Sequence, residues 1–138
     1  MAKIFLVEDN PDHALLIRQG LSEKGLEITH FSDGISALDF FKKEHPSEEL
    51  PAFVLLDLKL PGVDGFEVLR QIRSHPKFRL IPVIILTTSK YQPEINRAYE
   101  LGASGFITKS EEFSDLLAKL ASAKNYWLKT VELPRLAD

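Results

Sequence analysis

Short apolar runs alternate with longer segments of helical periodicity along the chain. Five of the runs have the length and β-branched or aromatic content typical of buried strands; they cover residues 3–7, 26–31, 52–56, 81–86 and 104–108. Each is followed by apolar residues that recur every three or four positions, as in an amphipathic helix. This alternation predicts a β-α unit repeated five times. Repeated units of this kind form a parallel sheet with helices on both faces.

Local signals refine the elements. Asp9 or Asn10 can cap the first helix, with Pro11 in its first turn. The run at 26–31 alternates enough to suggest an edge strand, which agrees with the strand order 2-1-3-4-5 of doubly wound sheets. We expect a single α/β domain over residues 1–138, with 126–138 extending the last helix.

Composition narrows the class of protein. The chain has 138 residues and is 44% hydrophobic, which is enough for one sizeable core. Its net charge of −3 comes from 17 basic and 20 acidic residues that are spread along the chain, which argues against binding to nucleic acid or an anionic membrane. The absence of cysteine excludes disulfides and thiol sites, and four scattered histidines argue against zinc. No apolar stretch is typical of a signal peptide or a membrane span, so we expect a cytoplasmic protein.

Reactive or hydrogen-bonding side chains follow four of the predicted strands. These residues are Glu8 with Asp9, then Asp57, Thr87 and Lys109. The carboxyl ends of parallel strands share one edge, and ligands bind there where the strand order reverses. We therefore expect the three carboxylates in one cleft, with Thr87 and Lys109 on its far side.

The carboxylates need a compensating charge, because each close pair repels by about 1 kcal/mol or more. A hard divalent cation would provide it, and carboxylate and carbonyl oxygens with water are ligands that suit Mg²⁺. We expect the metal on Asp9, Asp57 and the backbone carbonyl of Lys59, with Glu8 holding it through water.

Lys109 brings a second positive charge to Asp57, which makes sense if a phosphoryl group must arrive at that carboxylate. A carboxylate can act as the phosphorylated nucleophile, and such a transfer depends mainly on positioning and charge neutralisation. The Thr87 hydroxyl can donate a hydrogen bond to a phosphoryl oxygen.

Simpler interpretations exist for each residue alone. An acidic residue such as Asp9 is commonly a helix cap, a lysine at a strand end is commonly solvated, and a threonine there commonly serves a turn. Asp57 resists such an interpretation because it follows a fully apolar run at 54–56. Coincidence would have to place such side chains at four strand ends at once, which is a weak explanation. We therefore favour the interpretation that these residues form one site.

The motifs resemble those of bacterial response-regulator receiver domains over residues 3–125. The matching pieces are Val7-Glu8-Asp9-Asn10, Leu55-Leu56-Asp57-Leu58, Pro61-Gly62-Val63-Asp64-Gly65, Ile81-Pro82-Val83-Ile84-Ile85-Leu86-Thr87, Gly102-Ala103 and Lys109. The resemblance implies a flavodoxin-like fold and a two-component signalling protein that is not a conventional enzyme. It implies Mg²⁺-dependent transfer of phosphate from a histidine kinase to Asp57, followed by slower self-catalysed hydrolysis.

The same resemblance implies a switch. Phosphate would draw the Thr87 hydroxyl inward, and an aromatic residue of the fifth strand would swing into the space left. Phe106 occupies that position, and without a hydroxyl its inward state needs no buried partner. The simpler interpretation is that Phe106 only fills the core or the surface.

Departures from the family pattern point to a subgroup. Ser110 stands where a proline commonly follows the lysine, and Thr88 stands where alanine is common. With the long ending at 126–134, these positions resemble the stand-alone regulators that partner bacterial phytochrome histidine kinases.

The output of such a protein must be a protein contact. In this family the usual face is formed by the fourth helix, the fifth strand and the last helix, which here would carry Tyr91, Ile95, Tyr99, Phe106 and Trp127. Exposed aromatic residues favour an interface, so we expect a homodimer through this face and the extension. The alternative is that the extension folds back on its own core.

Three rival functions share parts of this pattern. A haloacid-dehalogenase-type phosphohydrolase would need a second aspartate where Lys59 stands. A flavin- or nucleotide-binding protein would need a phosphate-cradling loop after the first strand, where the acidic residues 8–9 would repel phosphate. A pseudo-receiver, which binds partners without phosphate, remains the open alternative.

Overall fold

The sheet of the computed structural model, which describes residues 2–136, has five parallel strands in the order β2-β1-β3-β4-β5. The strands are β1 (Ala2–Val7), β2 (Leu26–Phe31), β3 (Phe53–Leu56), β4 (Val83–Thr87) and β5 (Gly105–Thr108). The predicted doubly wound topology is confirmed, and β2 lies at one edge as expected.

Helices follow every strand. They are α1 (Pro11–Leu21), α2 (Gly34–Phe41), α3 (Gly65–Ser74), α4 (Gln92–Glu100) and α5 (Phe113–Asn125). Short 3-10 turns at Ser47–Glu49 and Phe78–Leu80 precede β3 and β4. Within residues 2–136, none of the helices has the length and apolar character needed to cross a bilayer.

The central part of the sheet is buried on both faces, so β3 is apolar at every position. Alternate residues of β3 serve different layers: Val54 and Leu56 pack in the layer with α2 and α3, whereas Phe53 and Leu55 pack in the layer with α1 and α5. Full burial of side chains of this size stabilises a fold by about 1.5–3 kcal/mol each relative to exposure. The two layers hold the strands in place, and the strand ends carry the polar residues.

Two helix caps fix the loops at the carboxyl edge of the sheet. The Asn10 side-chain oxygen accepts hydrogen bonds from the backbone nitrogens of Asp12 and His13, at 2.9 and 3.2 Å. Asp64 caps α3 by accepting from the Glu67 nitrogen at 3.0 Å. Asn10, not Asp9, therefore caps α1, and the Asp9 carboxylate is free for another role.

Helical structure in the C-terminal extension ends earlier than predicted. Helical structure continues after α5 only as a π-helical turn at Tyr126–Thr130, and residues 131–136 are not helical. Trp127 and Leu128 pack on the layer with α1 and α5, and Leu136 packs on the opposite layer. These contacts match the alternative in which the extension folds back on its own domain; residues 137–138 of the predicted extension lie outside the described residues.

Candidate functional site

Three carboxylates meet at the carboxyl ends of β1 and β3. The strands pair in parallel with Val7 opposite Leu56, so the residues that follow them, Glu8 and Asp57, lie side by side. One carboxylate oxygen from each of Glu8, Asp9 and Asp57 lies within 4.8 Å of the others. Glu8 and Asp57 are buried and Asp9 is exposed, so the cluster opens to solvent on one side.

Lys109 reaches this cluster from the end of β5. Its Nζ donates to Glu8 Oε1 in a close contact and to Asp57 Oδ2 at 3.1 Å. Its side chain is only 5% exposed, so the ammonium is a buried partner of both carboxylates. The sequence placed Lys109 on the far side of the cleft, but the lysine side chain is long enough to lie between Glu8 and Asp57.

Glu8 is held from several sides. Its Oε2 accepts from the Asn10 nitrogen at 3.1 Å, and His30 Nε2 lies 2.7 Å from its backbone oxygen. Burial raises the pKa of Glu8 above its usual value, against the lowering effect of the hydrogen bond and charge of Lys109. Burial therefore outweighs the one ammonium, and the cluster would gain from a further cation.

Asp57 is fixed by main-chain contacts on both sides. Its Oδ1 accepts from the Lys59 nitrogen at 3.2 Å, and its own nitrogen donates to the Val7 oxygen at 3.0 Å. The start of α3 comes so close that a Cβ at Gly65 would lie 2.2 Å from the Asp57 oxygen. Gly65 thus allows the helix to pack against the backbone of Asp57. The predicted role of the Lys59 carbonyl stays a prediction, because the contact seen here is made by its nitrogen.

Thr87 ends β4 with a hydroxyl that lacks a partner. The residue is fully buried, and its Oγ1 has no hydrogen-bond partner among the described residues. A buried polar group left unsatisfied costs about 1–3 kcal/mol. A ligand oxygen entering the cleft would remove this cost, so the hydroxyl is suited to recognise one.

The donor set fits a divalent cation. Three carboxylates against one ammonium leave two formal negative charges in a cleft that is largely buried. Carboxylate oxygens are hard ligands, which favour Mg²⁺, Ca²⁺ or Mn²⁺ over metals that prefer sulfur or nitrogen. Among the described residues, this is the only group of three such side chains close enough to share an ion.

Sequence reasoning missed several supporting residues. His13 Nδ1 lies 3.3 Å from Lys109 Nζ, and His30 contacts the Glu8 backbone from the neighbouring strand. Ser89 braces the loop after β4: its hydroxyl donates to Glu94 and accepts from the Tyr91 nitrogen at 3.2 Å. His13 could have been found, because the first turn of a helix that follows β1 faces this edge of the sheet. The other contacts depend on side-chain reach.

Ser110 occupies the position where the resembling family commonly has proline. Its hydroxyl oxygen accepts from the Glu112 nitrogen at 3.1 Å. This side-chain bond orders the turn into α5 in a way that serine hydroxyls commonly do. The connection from β5 to α5 therefore carries a local hydrogen bond at this position.

The predicted interface residues lie on one face. Tyr91 and Tyr99 are 65% and 51% exposed, whereas Ile95 on the same side of α4 is half-buried. Phe106 is half-buried, packs partly on the layer with α2 and α3, and lines a groove of about 790 Å³ between α4, β5 and α5. Trp127 also lines this groove.

Comparison with protein families gives one match that spans most of the chain. The model of the response regulator receiver domain matches residues 4–121. The probable methanogenesis regulatory protein FilR2 of Methanothrix harundinacea is 42% identical over 128 residues, which cover 91% of this chain and 83% of that protein.

Two solved structures are similar over nearly their whole length. The phosphorylated cyanobacterial phytochrome response regulator RcpA has a TM-score of 0.89 and 37% identity, covering 96% of this chain and 98% of its own. The Mn²⁺-bound form of response regulator Rcp1 has a TM-score of 0.87 and 36% identity, covering 97% of this chain and 99% of its own. Rcp1 comes from Synechocystis sp..

Proposed function

Because the chain belongs to the family of response-regulator receiver domains, which act in two-component signalling, we propose that it accepts a phosphoryl group from a histidine kinase on Asp57. One observation carries the proposal: the buried Asp57 carboxylate lies within 4.8 Å of the Glu8 and Asp9 carboxylates and 3.1 Å from the Lys109 ammonium. A carboxylate held between acidic ligands and a buried cation is poised to become a phosphorylated group.

In the transfer, an Asp57 carboxylate oxygen forms a bond to phosphorus as the bond from phosphorus to the donor imidazole nitrogen breaks. The electron pair of the broken bond stays on the imidazole. Lys109 neutralises charge on the phosphoryl oxygens, and the unpartnered Thr87 hydroxyl donates a hydrogen bond to one of them. In the slower hydrolysis that follows, a water oxygen forms a bond to phosphorus as the bond from phosphorus to the Asp57 oxygen breaks. Asp57 leaves as a carboxylate, and inorganic phosphate with the water proton is released.

Mg²⁺ is the cofactor that we assign to the cleft. Asp9, Asp57 and the carbonyl of Lys59 would hold it, with Glu8 behind them. The ion supplies positive charge that neutralises the transferring phosphoryl oxygens. A relative that binds Mn²⁺ at 36% identity supports a divalent metal, and oxygen ligands with an open side favour Mg²⁺.

Incubation with acetyl phosphate followed by intact mass measurement tests the proposed function. We expect a single phosphate adduct in Mg²⁺ and none when EDTA removes the metal. An unchanged mass in Mg²⁺ would instead support the pseudo-receiver, which binds its partners without phosphate.

The relatives suggest the partner. Rcp1 and RcpA are response regulators, and RcpA is described as a phytochrome response regulator. The cognate kinase of this chain is accordingly of the phytochrome type. Phosphoryl transfer from that kinase to this chain takes place in the cytoplasm.

Output passes through the face of α4, β5 and α5. On phosphorylation the Thr87 hydroxyl moves to the phosphoryl group and Phe106 moves with it, which changes the groove that Phe106 lines. The exposed Tyr99 and Tyr126 line this groove, and with the exposed Tyr91 at the start of α4 they form the contact surface of a homodimer.

Sedimentation tests the dimer. We expect Tyr99→Arg to shift the phosphorylated protein to monomer, because a charge in the buried centre of an interface is costly. Leu15→Arg is the matched control, since Leu15 on α1 is 54% exposed against 51% for Tyr99 but lies on another face. A native protein that is monomeric at high concentration with and without phosphate would refute the dimer.

A further inference from the structure

The Lys109 ammonium has three partners for its three N–H groups. Two are the carboxylates of Glu8 and Asp57, and the third is His13 Nδ1 at 3.3 Å. An ammonium only donates hydrogen bonds, so His13 Nδ1 must be an unprotonated acceptor in this contact. The proton of the neutral ring is then on Nε2.

The position of His13 is itself fixed. Its backbone nitrogen donates to the Asn10 side chain at 3.2 Å, in the cap that starts α1. The ring is half-buried and lines a small cavity of about 190 Å³ that Lys109 and Phe113 also line. The imidazole therefore approaches Lys109 from the capped first turn of α1.

The two carboxylates compete for the ammonium. Glu8 is 1% exposed and Asp57 is 7% exposed, so both gain from a positive partner. His13 Nδ1 adds a third, helix-borne acceptor to these two, and Lys109 Nζ lies 3.1 Å from Asp57 Oδ2.

We propose that His13 is a positioning residue for phosphoryl transfer, which acts by holding the third N–H of Lys109. The proposal rests on the proposed function, because it requires phosphorylation of Asp57. His13 touches neither Asp57 nor the arriving phosphoryl group in this role. It sets the fraction of time that Lys109 points at the site of transfer.

Two variants separate the acceptor from the shape of the ring. His13→Leu removes the acceptor, and we expect phosphorylation by acetyl phosphate in saturating Mg²⁺ to slow by roughly three- to tenfold, the effect of one lost hydrogen bond. His13→Asn should restore a rate within about twofold of the native protein, because Asn Oδ1 and His Nδ1 are the same number of bonds from Cα. Rates are followed by intact mass, and thermal midpoints show that both variants are folded.

Gln19→Leu is the matched control, since it places a leucine at an exposed position of the same helix away from Lys109. It should leave the rate unchanged. A His13→Leu rate within twofold of the native protein would overturn the proposal, and so would an Asn variant as slow as the Leu variant. Failure of the proposed function is distinguishable from failure of the His13 proposal, because the native protein itself would then take up no phosphate.

Discussion

Replacement of Asp57 with Asn is expected to abolish the phosphate adduct while leaving the protein folded. The amide has nearly the shape of the carboxylate but is a far weaker nucleophile toward phosphorus. Its oxygen can still accept from the Lys59 nitrogen, which lies 3.2 Å from Asp57 Oδ1. One fewer negative charge beside Glu8 and Asp9 also relieves repulsion, so the thermal midpoint should equal or exceed that of the native protein.

The measurement is intact mass after incubation with acetyl phosphate and Mg²⁺. Asp64→Asn is the matched control, because Asp64 is an acidic residue of the same β3–α3 connection whose carboxylate caps α3. Asparagine caps helices as well as aspartate, so this variant should keep its adduct. An adduct retained by Asp57→Asn, or lost in Asp64→Asn, would place the phosphorylated residue elsewhere.

The fold was predictable because strands buried on both faces form nearly continuous apolar runs. The run predicted at 81–86 nevertheless begins as a strand only at Val83. Ile81 closes the preceding 3-10 turn by donating to the Phe78 oxygen at 3.0 Å, and Pro82 has no N–H for a central strand. The strand therefore begins later than the apolar pattern predicts, because the 3-10 turn and the proline keep residues 81–82 out of it.

The site was predictable to the level of which strand ends meet. The parallel pairing of β1 and β3 brings Glu8, Asp9 and Asp57 together regardless of their side-chain conformations. The bridging position of Lys109 was not predictable, because it depends on the direction of a long flexible side chain. The missing partner of Thr87 also depends on atoms that approach from distant parts of the chain.

The extension shows the limit of periodicity. Apolar residues at helical spacing are compatible with a π-helical turn as well as with an α-helix. The backbone nitrogen of Val131 closes the π-helical turn by donating to the Tyr126 oxygen, five residues back. Pro134 lies in the non-helical part of the extension, and a helix could not continue through it because proline has no backbone N–H. Packing of Leu136 on the core is a tertiary effect, so the sequence left both outcomes open.

Replacement of Lys109 with Met is expected to be the most destabilising single change at the site in the absence of divalent metal. Methionine keeps the unbranched stem as far as Cε but removes the only ammonium that contacts Glu8 and Asp57 among the described residues. Breaking a buried ion pair costs about 3–5 kcal/mol, because the remaining charge stays buried without a partner. We expect a loss of about 3 kcal/mol in the free energy of unfolding at pH 7, measured by urea titration in EDTA.

The pH dependence of this loss follows from Glu8. Burial already raises the pKa of Glu8 above 4.5, and removal of Lys109 takes away the main influence that lowers it. A carboxyl group with a raised pKa in the folded state binds its proton more tightly there, so its stabilising contribution is present below the unfolded value of 4.5 and is lost as pH rises through the folded pKa. The deficit of the variant should therefore be small near pH 4 and grow toward neutral pH.

Divalent metal should reverse much of the deficit. With the competing ammonium gone, the three carboxylates attract Mg²⁺ more strongly, and binding to the folded state alone raises its stability. Lys42→Met is the matched control, since Lys42 pairs with Asp39 at 3.8 Å on the surface and its loss should cost about 1 kcal/mol or less, without a response to Mg²⁺. If Lys109→Met behaved like this control, the ammonium would not neutralise the cluster, and its assigned role in the transfer would lose its physical basis.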